Sequence, residues 1–218
     1  MAALPNFEIK TVFDRLRTFM QNYPKAAMFQ LADEGYCSAF EQLVSCIISI
    51  RTYDETSLPV SRRLFARANT PQAMSELSVE EIETLIKEST FSDRKAIQIS
   101  ELATEIVKVH HGELPCDLDV MSGFRGVGPK CAHLALGIAC QQPYVSVDIH
   151  VHRVINRWGL VATKTPEKTA QALMDNTLPQ TYWIETNQLL MPFGKHICKQ
   201  RPQCDRCPIA DQCAKVGV

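Results

Sequence analysis

The chain has no stretch of about eighteen uncharged apolar residues such as a membrane span needs. It has no basic start followed by an apolar run between Met1 and Lys10 either. On this reading neither a spanning helix nor a leader peptide is expected, and the protein is soluble and intracellular. A dominant charge is also missing. The 23 Lys and Arg stand against 24 Asp and Glu, for a net charge of −1, and that average does not announce a partner rich in phosphate. There is no low-complexity tract or internal repeat, and no even count of cysteines. Of the nine cysteines, Cys37, Cys46, Cys116, Cys131 and Cys140 are scattered, while the rest crowd between 198 and 213. That distribution argues against a secreted disulfide framework and for reduced thiols plus one metal site.

What is present suffices for a core. With 45% hydrophobic residues in 218, the chain can build one large domain or two small ones. Apolar residues recur at helical spacing: Leu43, Val44, Ile47 and Ile48; Ile99, Leu102, Ala103 and Ile106; Val151, Val154, Ile155 and Trp158. The fold class is all-α. Ser78 with Glu81 three residues on, and Thr165 followed by Pro166, read as helix starts. Pro71, Gly112 to Pro115, Pro143 and Pro179 mark turns. The one strand-like alternation runs Val145, Val147, Ile149, Val151, and Asp148 within it could equally cap a helix from Ile149. Charge is spread unevenly. Glu76 to Glu105 is acidic, whereas Arg125, Lys130, Arg153 and Arg157 form one basic group and Lys195, Lys199, Arg201, Arg206 and Lys215 another. Such a spread would let one face meet DNA, or would be ordinary solvated surface.

Phe124-Arg125-Gly126-Val127-Gly128-Pro129-Lys130 lies between two helical segments. Two glycines one residue apart allow a sharp turn and a close ligand, and Pro129 suits the first position of the next helix, which makes a helix–hairpin–helix. Backbone N–H groups at a helix start can hold a phosphate without reading a base. Lys130 falls in that helix's first turn, where the dipole and a partly dry setting would disfavour the ammonium and leave an amine nucleophile. A plain interhelical turn with a surface lysine is the competing reading. Eighteen residues later, Asp148 is either a helix cap or a carboxylate able to take a proton or stabilise charge on a sugar. His150 and His152 suggest a metal by their spacing, but without further ligands nearby they read as structural.

Cys198, Cys204, Cys207 and Cys213 are the most specific signal. A single close pair flanked on each side departs from the doubled knuckles of structural zinc sites and suits a compact iron–sulfur cubane, with zinc as the alternative. The loop supplies no open coordination position and should fold the C-terminus while displaying Lys195, Lys199, Arg201 and Arg206 to a DNA backbone.

Together, Gly126-Val127-Gly128-x-Lys130, the Val-Asp-x-His at 147 to 150 and the four-cysteine tail resemble the helix–hairpin–helix DNA glycosylases of the endonuclease III family, from about Phe40 to Cys213. The resemblance implies two helical domains flanking a DNA-binding cleft. Residues 32–142 would carry the hairpin, and 1–31 with 143–218 the cluster. It implies Lys130 as nucleophile, Asp148 as essential carboxylate, the four tail cysteines as ligands of a [4Fe–4S] cluster, and Gly126, Val127 and Gly128 as DNA contacts. The implied activity is base-excision repair of oxidised pyrimidines in duplex DNA, with lyase cleavage at the abasic site, by a monomer in the cytoplasm at the bacterial nucleoid, or in the nucleus of a eukaryotic source. Alternatives are a mismatch-thymine glycosylase and a catalytically weak DNA-binding paralogue. Departures concern recognition. Arg51 stands where the family has a gap-filling glutamine, Phe91 remains as a wedge while Ser92 lacks a ring, Ile149 replaces a threonine, and Arg125 a proline. The first cysteine gap is one residue short.

Overall fold

The computed structural model describes residues 7–218. Among them there is no strand, and helix follows helix as the periodicity predicts. The alternation from Val145 to Val151 is divided: the chain is irregular up to Asp148 and helical from Ile149. No helix among the described residues is long and apolar enough to cross a membrane. The chain forms two compact units. One is Ala27–Gln142, and the other combines the segment up to Ala26 with Pro143–Val218.

In chain order the helices are α1 (Ile9–Met20), α2 (Ala27–Asp33), α3 (Ala39–Ser49), α4 (Asp54–Arg67), α5 (Pro71–Ser75), α6 (Val79–Ile86), α7 (Ser92–Val109), α8 (Leu118–Gly123), α9 (Pro129–Cys140), α10 (Ile149–Trp158), α11 (Pro166–Ala172) and α12 (Trp183–His196).

The contiguous unit is organised around α3. Its start is fixed by a capping box: Ser38 Oγ accepts the Glu41 N–H at 3.2 Å and the Glu41 carboxylate accepts the Ser38 N–H at 3.0 Å. Every residue from Phe40 to Ile48 is buried, as befits a helix enclosed on all sides. It packs on α9, α4 and α7, and α7 in turn crosses α5 and α6. Ile99, Leu102, Ala103 and Ile106 of α7 are buried at the predicted spacing. Ser78 and Glu81 form a second capping box at the start of α6. Pro71 does not mark a turn. It is the buried first residue of α5, behind a Thr70 cap, because a missing N–H costs nothing at that position.

The scattered cysteines are not all reduced, contrary to the sequence reading. Cys46 of α3 is bonded to Cys131 of α9, and Cys116 to Cys140, with Cα separations of 5.6 and 6.0 Å. Cys37 remains an exposed thiol. Their spacing of 85 and 24 residues along the chain carries no such message. It is the packing of α3 against α9 that brings the first pair within bonding range.

The other unit has its own core. Val12, Phe13 and Leu16 of α1 join Val151, Val154, Ile155 and Trp158 of α10 and Leu190 and Phe193 of α12. Each such side chain contributes about 1.5–3 kcal/mol over leaving it in water. Thr165 caps α11 with Pro166 at its first position. A π-helical turn (Leu173–Thr177) and a short 3-10 turn (Gln180–Tyr182) then lead into α12. α12 comes close to α10 at Gly194, where a Cβ would lie 2.9 Å from His150 Cβ and 3.2 Å from the His150 carbonyl oxygen. Only glycine fits there.

Candidate functional site

The hairpin and its lysine lie in the contiguous unit. Asp117 caps α8, its carboxylate accepting the Val120 N–H at 2.9 Å. The chain then turns through Gly126 at φ +85°, a conformation only glycine adopts freely. Val127 is buried beneath the turn and donates its N–H to the Phe124 carbonyl at 3.1 Å. Gly128 serves differently from its neighbour. Its φ of −97° is ordinary, but a Cβ built on it meets nothing within 4 Å. Gly128 therefore leaves open space in front of α9, whose start has no side-chain cap and carries Pro129 first. Gly128, Pro129 and Lys130 are all exposed. This is a helix start with positive dipole and room for an anion. The sequence reading expects Lys130 in a partly dry setting, and the structure corrects that: the fold positions the lysine but does not desolvate it.

Asp148 lies in the other unit and begins α10. Its Oδ1 accepts the N–H groups of His150 and Val151, each at 2.9 Å. Asp148 is thus the helix cap that its sequence context allows. The same two bonds hold a half-buried carboxylate in a single orientation. Burial lowers the His150 pKa against the opposing pull of Asp148, while Arg153 and Lys195 lower it further. His150 Nδ1 lies 3.1 Å from Arg153 Nη2. His152 Nδ1 lies 2.6 Å from Thr169 Oγ1 and 3.1 Å from Asn156 Nδ2. The two histidines serve hydrogen-bond networks, in line with the structural alternative.

Cys198, Cys204, Cys207 and Cys213 line one pocket together with Arg157, Trp158 and Phe193. Among the described residues no group of three or more His, Cys, Asp or Glu is arranged to hold a metal ion. Four sulfurs lining one pocket could serve as ligands to a cluster of several atoms. Burial pushes the Cys207 thiol up to about 11, with the neighbouring cysteines adding to the effect, and Cys213 is raised for the same reason. Thiolates in such surroundings call for a compensating positive centre.

Two arginines expected on a basic face turn inward instead. Arg157, buried, donates to the carbonyls of Cys198 at 3.3 Å, Gln200 at 2.8 Å and Lys199, and lies 3.5 Å from Cys198 Sγ. Arg153 donates to the carbonyls of Cys198 at 3.0 Å and Gly194 at 2.8 Å. They fix the first cysteine of the loop. Only their acceptors, about forty residues further along the chain, identify this role. Lys199, Arg201 and Arg206 are exposed as expected, whereas Lys195 is half-buried.

Arg51 and Phe91, both exposed, come together in the contiguous unit. The Arg51 guanidinium carbon lies 5.9 Å from the Phe91 ring centroid, and that of Arg94 5.6 Å. Both distances are within cation–π range. Arg125, just before the hairpin, lies 3.5 Å from Glu101.

Comparison with known proteins places these features in a lineage. Residues 44–179 match the family described as HhH-GPD superfamily base excision DNA repair protein. Endonuclease III of Thermotoga maritima is 38% identical over 175 residues, covering 80% of this chain and 82% of that protein. Endonuclease III of Escherichia coli K12 is 31% identical over 180 residues, covering 82% and 85%. Among solved structures, a trapped endonuclease III–DNA covalent intermediate superposes with a TM-score of 0.78 at 26% identity, over 95% of this chain and 94% of that one.

Proposed function

Since this chain belongs to the HhH-GPD superfamily, and within it to the endonuclease III family, it is a base-excision-repair DNA glycosylase and abasic-site lyase, and we propose that it removes oxidised pyrimidines from duplex DNA through Lys130 and Asp148. The observation that supports this reading best is the stretch from Gly126 to Lys130. It joins an open, uncapped helix start to an exposed lysine one position after the first helical residue.

The backbone at Gly128 and the start of α9 hold a phosphate of the damaged strand. The target nucleoside leaves the stack so that its C1′ can be reached. DNA, by covering Lys130, supplies the dryness that the fold does not. Asp148 takes a proton from the lysine, and Nζ attacks C1′ as the bond to the base breaks, the base leaving with the electron pair and a proton. Opening of the sugar ring gives an iminium at C1′. Loss of a C2′ proton then expels the 3′ phosphate and cuts the strand. Held in one orientation by two N–H bonds, Asp148 also stabilises positive charge developing on the sugar. Arg51 and Phe91 meet the duplex where the nucleotide has left.

The test is borohydride trapping of the wild-type protein on duplexes carrying an oxidised pyrimidine or a preformed abasic site. A covalent protein–DNA adduct on both is the expected result. Adducts with a mismatched thymine but not with oxidised pyrimidines would move the assignment to thymine repair. Absence of any adduct alongside tight binding would make the chain a DNA-binding paralogue.

The cofactor we infer is a [4Fe–4S] cluster held by Cys198, Cys204, Cys207 and Cys213. When bound it folds and charges the loop; it takes no part in breaking the glycosidic bond. Lys199, Arg201 and Arg206 would then face the DNA backbone. Protein purified without oxygen is expected to contain about four irons per chain, falling towards zero in Cys207→Ser together with the visible absorbance. One zinc per chain and no iron would overturn the assignment. We place the protein as a monomer on damaged DNA, in the cytoplasm with the bacterial nucleoid or in a nucleus.

A further inference from the structure

Arg51 and Phe91 share an unusual backbone. Their φ angles are +53° and +60°, a left-handed conformation that residues with a side chain rarely adopt and that persists only where the surroundings impose it. The surroundings that do so converge on Lys95. This α7 side chain is 3% exposed. Its ammonium donates to the Ile48 carbonyl at 2.6 Å, the Ile50 carbonyl at 2.8 Å and Thr52 Oγ1 at 3.0 Å.

Three donors meet three acceptors, so a buried cation is fully satisfied. Ile48 lies in the last turn of α3 and Ile50 is its C-cap. Helix carbonyls run out of N–H partners there, and positive charge complements the dipole. Thr52 Oγ1 also accepts the Thr90 N–H at 3.1 Å. One ammonium therefore ties the turn on both sides of Arg51 to the residue before Phe91. The aromatic ring has both guanidiniums within cation–π range and is 46% exposed. Burial lowers the Lys95 pKa to about 8, in keeping with a group walled off from solvent and out of reach of DNA.

We propose that Lys95 is a positioning residue for lesion recognition, fixing Arg51 and Phe91 on one surface so that together they meet the duplex around the displaced nucleotide. The proposal rests on the glycosylase reading above. It assigns opposite-base discrimination to a residue that touches no nucleic acid. Lys95 acts by setting the backbone beneath two residues that do.

The experiment compares Lys95→Met, Thr52→Val and Thr52→Ser with wild type in two assays. The first measures kcat and KM on an oxidised-pyrimidine duplex with each of the four opposite bases. The second is trapping on a preformed abasic site in single-stranded DNA, where there is no stack to open and no partner base. Loss of hydrogen bonds to a buried cation is expected to raise the duplex KM about tenfold in Lys95→Met and to flatten its dependence on the opposite base, with kcat within about twofold of wild type. Single-strand trapping should stay at the wild-type level. Thr52→Val should show the same pattern at about threefold, and Thr52→Ser, which keeps the hydroxyl, should match wild type.

Should Lys95→Met fail to fold, the Thr52 pair decides. An unchanged KM and opposite-base profile in Thr52→Val overturns the proposal and leaves the glycosylase reading standing. So does a parallel loss in both assays, which marks a purely structural role. Failure of wild type to trap either substrate overturns the glycosylase reading, and this proposal with it.

Discussion

Replacement of Lys130 by glutamine is expected to abolish covalent capture: no borohydride-stable adduct, and strand cleavage lowered by roughly four or more orders of magnitude, the scale seen when a nucleophile is removed outright. The structure makes this a clean substitution. Lys130 is exposed in the first turn of α9, and glutamine is a good helix former. The folding free energy should change by no more than about 0.5 kcal/mol. The elements proposed to hold a phosphate, Gly126, Gly128 and the start of α9, are left in place. Binding to a duplex with a stable abasic analogue should therefore stay within a few-fold of wild type. Retention of adducts by the glutamine variant would show that another amine attacks C1′, and the mechanism would have to be rebuilt around it.

Asp148→Asn is expected to lower the single-turnover excision rate by about two to four orders of magnitude, the range associated with a proton acceptor acting in the transition state. Stability should hardly move. Asparagine caps helices about as well as aspartate, so the two N–H bonds from His150 and Val151 survive, and only the charge facing the α10 dipole is lost, worth up to about 1 kcal/mol. Asp148→Ala removes the cap as well and should cost roughly a further 1 kcal/mol in denaturant unfolding. The contrast separates the two roles that one carboxylate combines. Full activity in the asparagine variant would reduce Asp148 to a helix cap and take the proton transfer away from it.

These two residues stand out in the sequence because their signals are local. Gly126, Gly128 and Pro129 announce a turn and a helix start within five positions, and Asp148 announces a cap next to the apolar spacing of α10. The four tail cysteines are local in the same sense. Arg157, Arg153 and Lys95 were not legible, since each is defined by acceptors 41 to 47 residues away. In the sequence they were merely three cations among 23. Gly194 gave no signal either: its necessity comes from His150 across the helix interface. The cysteine pairs fall in the same class. Composition argued for reduced thiols, while the packing of α3 on α9 brought Cys46 to Cys131. Periodicity and caps thus foretold the helices, and long-range geometry decided which charges serve the interior.

The division of the chain into a contiguous unit and one built from both of its flanks has a consequence in time. A ribosome adds about 5–20 residues per second. The unit bearing Lys130 is fully synthesised once Gln142 has emerged, and it can fold at once. Helix α1, made first, has to wait for α10 and α12 before its apolar face is covered. From Met20 to His196 that wait is on the order of ten to forty seconds. Throughout it Val12, Phe13 and Leu16 are the newborn chain's exposed liability. All of the unit that holds Lys130, the proposed nucleophile, is thus synthesised before Asp148, the carboxylate proposed to serve it.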